Sequence, residues 1–106
     1  MKHISADSVF AALSAQEPIT LLDVRTEMEH KKAHIAGSTH ITLGEVKEKV
    51  AKRIPKKDAT VYVYCLSGSR SELIVPFLEQ IGYTDVYSMD HGLLAWRAKG
   101  YPLVSD

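Results

Sequence analysis

Residues 60–74 read Thr-Val-Tyr-Val-Tyr-Cys-Leu-Ser-Gly-Ser-Arg-Ser-Glu-Leu-Ile: an apolar run, then a loop of small residues, then a helical pattern. No other stretch constrains the fold so tightly. Val61, Tyr62, Val63 and Tyr64 are β-branched or aromatic and suit a pleated, buried strand. Cys65 then stands at the strand's carboxyl end. Beyond Leu66, the residues Ser67, Gly68 and Ser69 carry no bulk, so successive backbone N–H groups can curl toward one point and form an anion-binding nest facing Cys65. A helix starting near Ser69 adds its unpaired N–H groups and the positive end of its dipole to that spot. Such a field favours thiolate over thiol. Arg70 brings a cation that cannot lose its proton. The plainer reading makes Cys65 a small buried hydrophobe. The placement of Gly68 and Arg70 favours a reactive cysteine over an inert one.

At 106 residues the chain has room for one domain, 1–106, with a single core that needs no staples. Its 13 Lys and Arg balance 13 Asp and Glu, so bulk charge gives no reason to expect nucleic acid or an anionic membrane as partner. Any attraction for anions is local. The single cysteine excludes an internal disulfide, a CxxC redox pair and a thiolate zinc cluster. It also leaves no resolving thiol, so a sulfur-based intermediate is discharged by an outside molecule. No apolar run approaches the ~18 residues of a membrane span, and the opening Met-Lys-His-Ile-Ser lacks a signal peptide's apolar core. The expected location is therefore cytoplasmic.

Before the central stretch, Ser5 and Asp7 are capping residues, and Val9, Phe10 and Leu13 follow at helical spacing. After Pro18, residues 19–24 have the continuous apolar character of a strand covered on both faces, with Asp23 and Arg25 at its end. Residues 27–33 are charged and predict a short exposed helix, 34–37 a turn, and 38–41 a brief strand. Thr42 and Glu45 match a capping box, followed by Val46, Val50 and Ile54 on one helical stripe. After the loop, Leu73, Ile74, Phe77, Leu78 and Ile81 recur at helical intervals up to Gly82, and Pro76 inside that pattern predicts a kink. Residues 85–89 read as a last strand. A closing helix docks Leu93, Leu94 and Trp96. Strands alternating with helices predict an α/β fold, a mainly parallel central sheet flanked by helices on both faces. Ligands of such sheets bind at the strands' carboxyl ends, where Cys65 falls.

The loop Cys65-Leu66-Ser67-Gly68-Ser69-Arg70 has company elsewhere in the chain. Leu22-Asp23-Val24-Arg25 is followed by Glu29; His34-Ile35-Ala36-Gly37-Ser38 leads to Ile41; and Gly92-Leu93-Leu94-Ala95-Trp96 precedes Gly100-Tyr101-Pro102. In this order the pieces resemble the rhodanese homology family, as a single-domain member over nearly the whole chain. The resemblance implies sulfurtransfer: Cys65 takes the outer sulfur of thiosulfate or a similar small anionic donor, holds it as a persulfide, and passes it to cyanide, a thiol or a sulfur-accepting protein. It implies no cofactor. The amides of residues 66 to 70 are expected to hold the anionic sulfur and Arg70 to orient the donor, while Asp23 and Arg25 brace the site wall.

A phosphatase or arsenate reductase on the same fold is the neighbouring alternative. Families of that kind carry Cys-x5-Arg, one residue longer than the Cys-x4-Arg here, and the shorter loop suits a single sulfur better than a tetrahedral oxyanion. A phosphatase also wants a general acid, and nothing in the sequence places Asp23 or Glu29 beside Cys65. The other alternative, a noncatalytic binding module, usually lacks the cysteine. His30 and His34 have helical metal-ligand spacing, but no Cys or carboxylate completes a set in sequence, so no metal is expected.

Overall fold

The computed structural model describes residues 2–106. Five strands, β1 (His3–Ile4), β2 (Ile19–Asp23), β3 (Thr39–His40), β4 (Thr60–Tyr64) and β5 (Asp85–Met89), form one sheet in the order β1-β5-β4-β2-β3. Every pairing is parallel. Thr60–Tyr64 is the middle strand, with Leu22 opposite Val63 on one side and Val86 opposite Val61 on the other. Five α-helices connect the strands: α1 (Ala6–Ser14), α2 (Glu27–Lys32), α3 (Val46–Arg53), α4 (Ser69–Gln80) and α5 (Gly92–Ala98).

The alternation of side chains along β4 divides the core in two. Val61, Val63 and Cys65 join Val46 and Val50 of α3 and Ile74, Val75 and Leu78 of α4. Tyr62 and Tyr64 point the other way, against Val9 and Ala12 of α1 and Leu93 and Trp96 of α5. Both faces are thereby covered, which is why β4 reads as an unbroken apolar run. The expected α/β architecture is the one observed.

Several local expectations differ. The capping box is not at Thr42 and Glu45: Thr42 makes no side-chain cap, residues 43–45 wind as a 3-10 turn, and Glu45 reaches forward to Lys49 instead of back. The box that forms is at Thr26 and Glu29, where each side chain accepts the other residue's backbone N–H. Leu73 and Leu94 lie on the solvent side of their helices, 69% and 51% exposed, and Ile81, just past the end of α4, is 37% exposed. α4 runs unbroken through Pro76, which is itself exposed, as is Glu72, whose carbonyl loses its usual donor there. β1, two residues long, adds an edge that no sequence pattern announced.

Candidate functional site

Cys65 follows the last residue of β4, and the loop after it turns into α4 at Gly68, whose φ of +105° favours glycine. The thiol is fully buried. The Gly68 N–H donates to Cys65 Sγ at 3.0 Å, and Ser71 Oγ lies 3.9 Å from the same sulfur. Gly68 C=O already accepts the first helical bond, from Glu72 N–H, so the amides of Ser69, Arg70 and Ser71 are the open first turn of α4. Among the described residues none of these three, nor Ser67, donates to a backbone acceptor in the loop and turn contacts. Thus one amide of the expected ring touches the thiol, and its neighbours are uncommitted. Ser67 and Ser69 are exposed, their hydroxyls 3.4 Å apart at the rim; Leu66 is half-buried and packs with the α1 and α5 core.

Beneath the loop, Ser71 Oγ donates to Gly68 C=O at 3.0 Å and meets Ser88 Oγ of β5 at 2.7 Å, both serines being buried. On its far side the loop is held by α5. Leu93 N–H and Leu94 N–H donate to the carbonyls of Cys65 and Leu66, at 2.9 and 3.0 Å. That approach requires Gly92: a Cβ there would sit 2.3 Å from Cys65 O and 2.7 Å from Leu66 O, and its φ is +51°.

Arg70 does not hang free over the loop. It forms a two-pronged ion pair with Glu29, Nη1 to Oε1 at 2.7 Å and Nη2 to Oε2 at 3.1 Å. The Arg70 guanidinium pulls the Glu29 carboxyl down to about 2, against the usual 4.5. In return the carboxylate, with the Cys65 sulfur adding to it, holds Arg70 above its ordinary value. The Thr26 capping box fixes Glu29 from behind. No spacing rule ties residue 29 to residue 70; only the fold brings them together.

Asp23 and Arg25 lie behind this layer, 0% and 3% exposed. Arg25 donates from Nε to Asp23 Oδ1 at 3.0 Å and from Nη2 to Oδ2 at 2.8 Å, and its remaining donors reach the carbonyls of Glu29 and Ala33. The pair therefore staples the end of β2 to α2, and Arg25 touches the backbone of Glu29, not its carboxylate. Burial pushes the Asp23 carboxyl up, but hydrogen bonds from Arg25 and His30 outweigh it and leave the group below its ordinary value. Neither residue contacts Cys65 through a hydrogen bond. Tyr64, whose hydroxyl accepts from Ile35 N–H at 3.2 Å and meets Ser38 Oγ at 3.1 Å, ties the 34–38 turn to the strand below Cys65. Burial pushes that phenol up to about 12.

A buried sulfur at the carboxyl end of the central parallel strand, capped by one amide and faced by a clamped arginine, is the arrangement that known relatives can place. Residues 5–99 match the family model for the rhodanese-like domain. The chain is 36% identical over 97 residues to the Bacillus subtilis protein YrkF, covering 92% of this chain and 51% of that one. It is 40% identical over 65 residues to the Escherichia coli thiosulfate sulfurtransferase PspE, covering 61% and 62%. The aligned region thus spans about half of YrkF and three-fifths of PspE. The crystal structure of a rhodanese-related protein from Thermoplasma volcanium superposes over the full length of both chains with a TM-score of 0.87 and 31% identity. With sheet, loop and family model in agreement over most of its length, this chain belongs to the rhodanese-like domain family.

Proposed function

We propose that the chain, as one rhodanese-like domain over residues 1–106, is a sulfurtransferase that works through a persulfide on Cys65. The Cys65 thiolate attacks the outer sulfur of thiosulfate or a similar small anionic donor. A bond forms between Cys65 Sγ and that sulfur, the donor's sulfur–sulfur bond breaks, and sulfite leaves with the bonding pair. An acceptor thiolate, or cyanide in an assay, then attacks the outer sulfur and Cys65 leaves as thiolate. No metal or organic cofactor enters either step. The observation that carries this reading is the Gly68 N–H aimed at Cys65 Sγ at 3.0 Å, beside the uncommitted amides of Ser67, Ser69, Arg70 and Ser71. Those donors suit an anionic terminal sulfur, which needs stabilisation but no proton. Ser67 and Ser69 form the mouth through which the donor reaches Cys65, Leu66 shapes the wall, and Arg70 orients the donor's oxygens, with Asp23 and Arg25 as structural support.

Phosphate hydrolysis fits less well. Glu29 is the carboxyl group beside Arg70, and with its pKa near 2 it stays ionised at neutral pH and has no proton to give a leaving group. Asp23 is sealed by Arg25 and His30. The test is incubation of the protein with thiosulfate, followed by intact-mass measurement and cyanide treatment, with Cys65→Ser as the blank. Addition of one sulfur to the wild type alone supports the proposal. If Cys65→Ser retained every cellular role of the protein, the noncatalytic binding reading would replace it.

A further inference from the structure

The charged end of α2 faces a cleft of about 310 Å³ lined by His30, His40, Asp106 and the ion pairs of Lys31 and Lys49. His34 stands just past the helix, behind the cleft's own lining, with its ring stacked on His30 at 3.8 Å. No third ligand stands near this pair along the chain. The fold supplies one, because the C-terminal segment returns alongside α2: Val104 and His34 exchange two backbone hydrogen bonds, and Asp106 N–H donates to Lys31 C=O. Asp106 Oδ1 thereby comes within 4.0 Å of His34 Nε2. One donor atom each from His30, His34 and Asp106 lies within 4.8 Å of the other two.

The outer contacts of the two imidazoles decide which nitrogens are available. His30 Nδ1 is 2.8 Å from Asp23 Oδ2, and His34 Nδ1 is 2.7 Å from the carbonyl of His30. Both partners only accept, so in each ring Nδ1 carries the proton and a neutral imidazole presents a bare Nε2 lone pair. Carboxylate or carbonyl acceptors on the far nitrogen are the arrangement that fixes tautomer and basicity in histidines that bind metals. His40 stacks on His30 at 4.6 Å with its Nε2 2.7 Å from Arg25 C=O; it lies outside the group formed by His30, His34 and Asp106 and walls the site without joining it. Local charge does not oppose a cation: Lys31 is paired with Glu27 and Lys49 with Glu45, while Arg53 donates to His40 C=O.

We infer that His30, His34 and Asp106 form a site for a borderline divalent cation of the zinc class, outside the Cys65 loop. Two imidazoles and one carboxylate are the donor set such ions prefer, and hard oxygen-seeking ions such as Ca²⁺ and Mg²⁺ do not. Tetrahedral coordination at about 2.0–2.1 Å needs donor atoms about 3.3 Å apart, closer than the present spread. The adjustment falls on the exposed Asp106 and on a turn of the His34 ring out of its stack. A fourth position stays open to water. A bound ion would fasten the C-terminal segment to α2 and, through His30 and Asp23, to the Arg25 staple.

The experiment uses the full chain without an affinity tag, stripped of metal, and titrated with Co²⁺ by visible absorption and with Zn²⁺ by calorimetry. The site predicts one ion per chain, an intense tetrahedral-type cobalt band, and a rise in thermal midpoint on adding Zn²⁺. His30→Gln and Asp106→Asn should each weaken binding by about tenfold or more, whereas His3→Gln should not. Absence of the cobalt band, or affinity unchanged in Asp106→Asn, overturns the inference. Asp106→Asn alters an exposed side chain, so it decides the matter even if His30→Gln fails to fold.

Discussion

Gly92→Ala tests how the site is built, because the structure lets its cost be worked out. The new Cβ would lie 2.3 Å from Cys65 O, 2.7 Å from Leu66 O and 2.8 Å from the Leu66 carbonyl carbon, all backbone atoms that cannot swing aside. Ordinary contact is about 3.5 Å, so α5 has to withdraw from the loop by about 1 Å. That stretches the bonds from Leu93 N–H and Leu94 N–H, now 2.9 and 3.0 Å, to about 4 Å, beyond hydrogen-bond range. Each lost bond costs about 1 kcal/mol. An alanine at the observed φ of +51° adds about 1 kcal/mol, and imperfect repacking of α5 about 1 more. The expected loss is roughly 4 kcal/mol, a fall in thermal midpoint of about 15–30 °C. Urea and thermal unfolding measure it, and alkylation of Cys65 by iodoacetamide, followed in native buffer, reports the loosened loop. Gly100→Ala is the control: its φ of +72° is also left-handed but nothing lies within 4 Å, so it should cost only about 1 kcal/mol. A Gly92→Ala protein no less stable than Gly100→Ala, with Cys65 alkylated at the wild-type rate, would refute the seating of α5 on the loop.

Other substitutions separate the clamp from the staple. Asp23→Asn leaves the buried Arg25 guanidinium without its counter-charge and should cost about 3–5 kcal/mol in urea unfolding; a loss under about 1 kcal/mol would show that water reaches Arg25. Arg70→Ala should reduce thiosulfate turnover by about 10–100-fold, the worth of one charge-assisted hydrogen bond, with a smaller effect on folding. Equal losses of activity and stability would make Arg70 structural. Glu29 titrates lower in the folded chain than unfolded, so its contribution is present above pH 4.5 and fades as pH falls from 4.5 toward about 2. Because the pair is partly open to solvent, the contribution is about 1 kcal/mol. Stability of wild type and Glu29→Gln, followed against pH, should therefore converge at the acid end. A gap that persists unchanged at pH 2 would contradict the assigned ion pair.

The strand–loop–helix at Cys65 was legible because each signal in it is local: a β-branched and aromatic run, small loop residues, and a glycine that takes a positive φ. Parallel pairing followed from alternation of strands with helical patterns, whereas the order of the strands, with β1 on the edge beside β5, did not. What stayed hidden is what distance in sequence hides. Glu29 meets Arg70 across 41 positions, Ser71 meets Ser88 across 17, and Gly92 touches Cys65 only after α5 folds back. The Thr42 and Thr26 sites show a different limit. Both are followed three residues later by Glu, but the 3-10 turn after Thr42 winds too tightly for the reciprocal bonds, and Lys49 offers Glu45 a better partner. Leu73 and Leu94 show a third: helical spacing places residues on a stripe, and the width of the buried stripe is set by what packs there. Asp106 belongs with the first kind, since no motif joins a C-terminal aspartate to a histidine pair 72 and 76 positions earlier.

The most direct measurement is the intact mass of the protein after incubation with thiosulfate and removal of excess donor. A persulfide on Cys65 predicts a gain of one sulfur atom, located on that residue by fragmentation, lost on adding cyanide with release of thiocyanate, and absent from Cys65→Ser. An unchanged mass with thiosulfate and other sulfane donors, in folded protein whose Cys65 still accepts iodoacetamide, would contradict it.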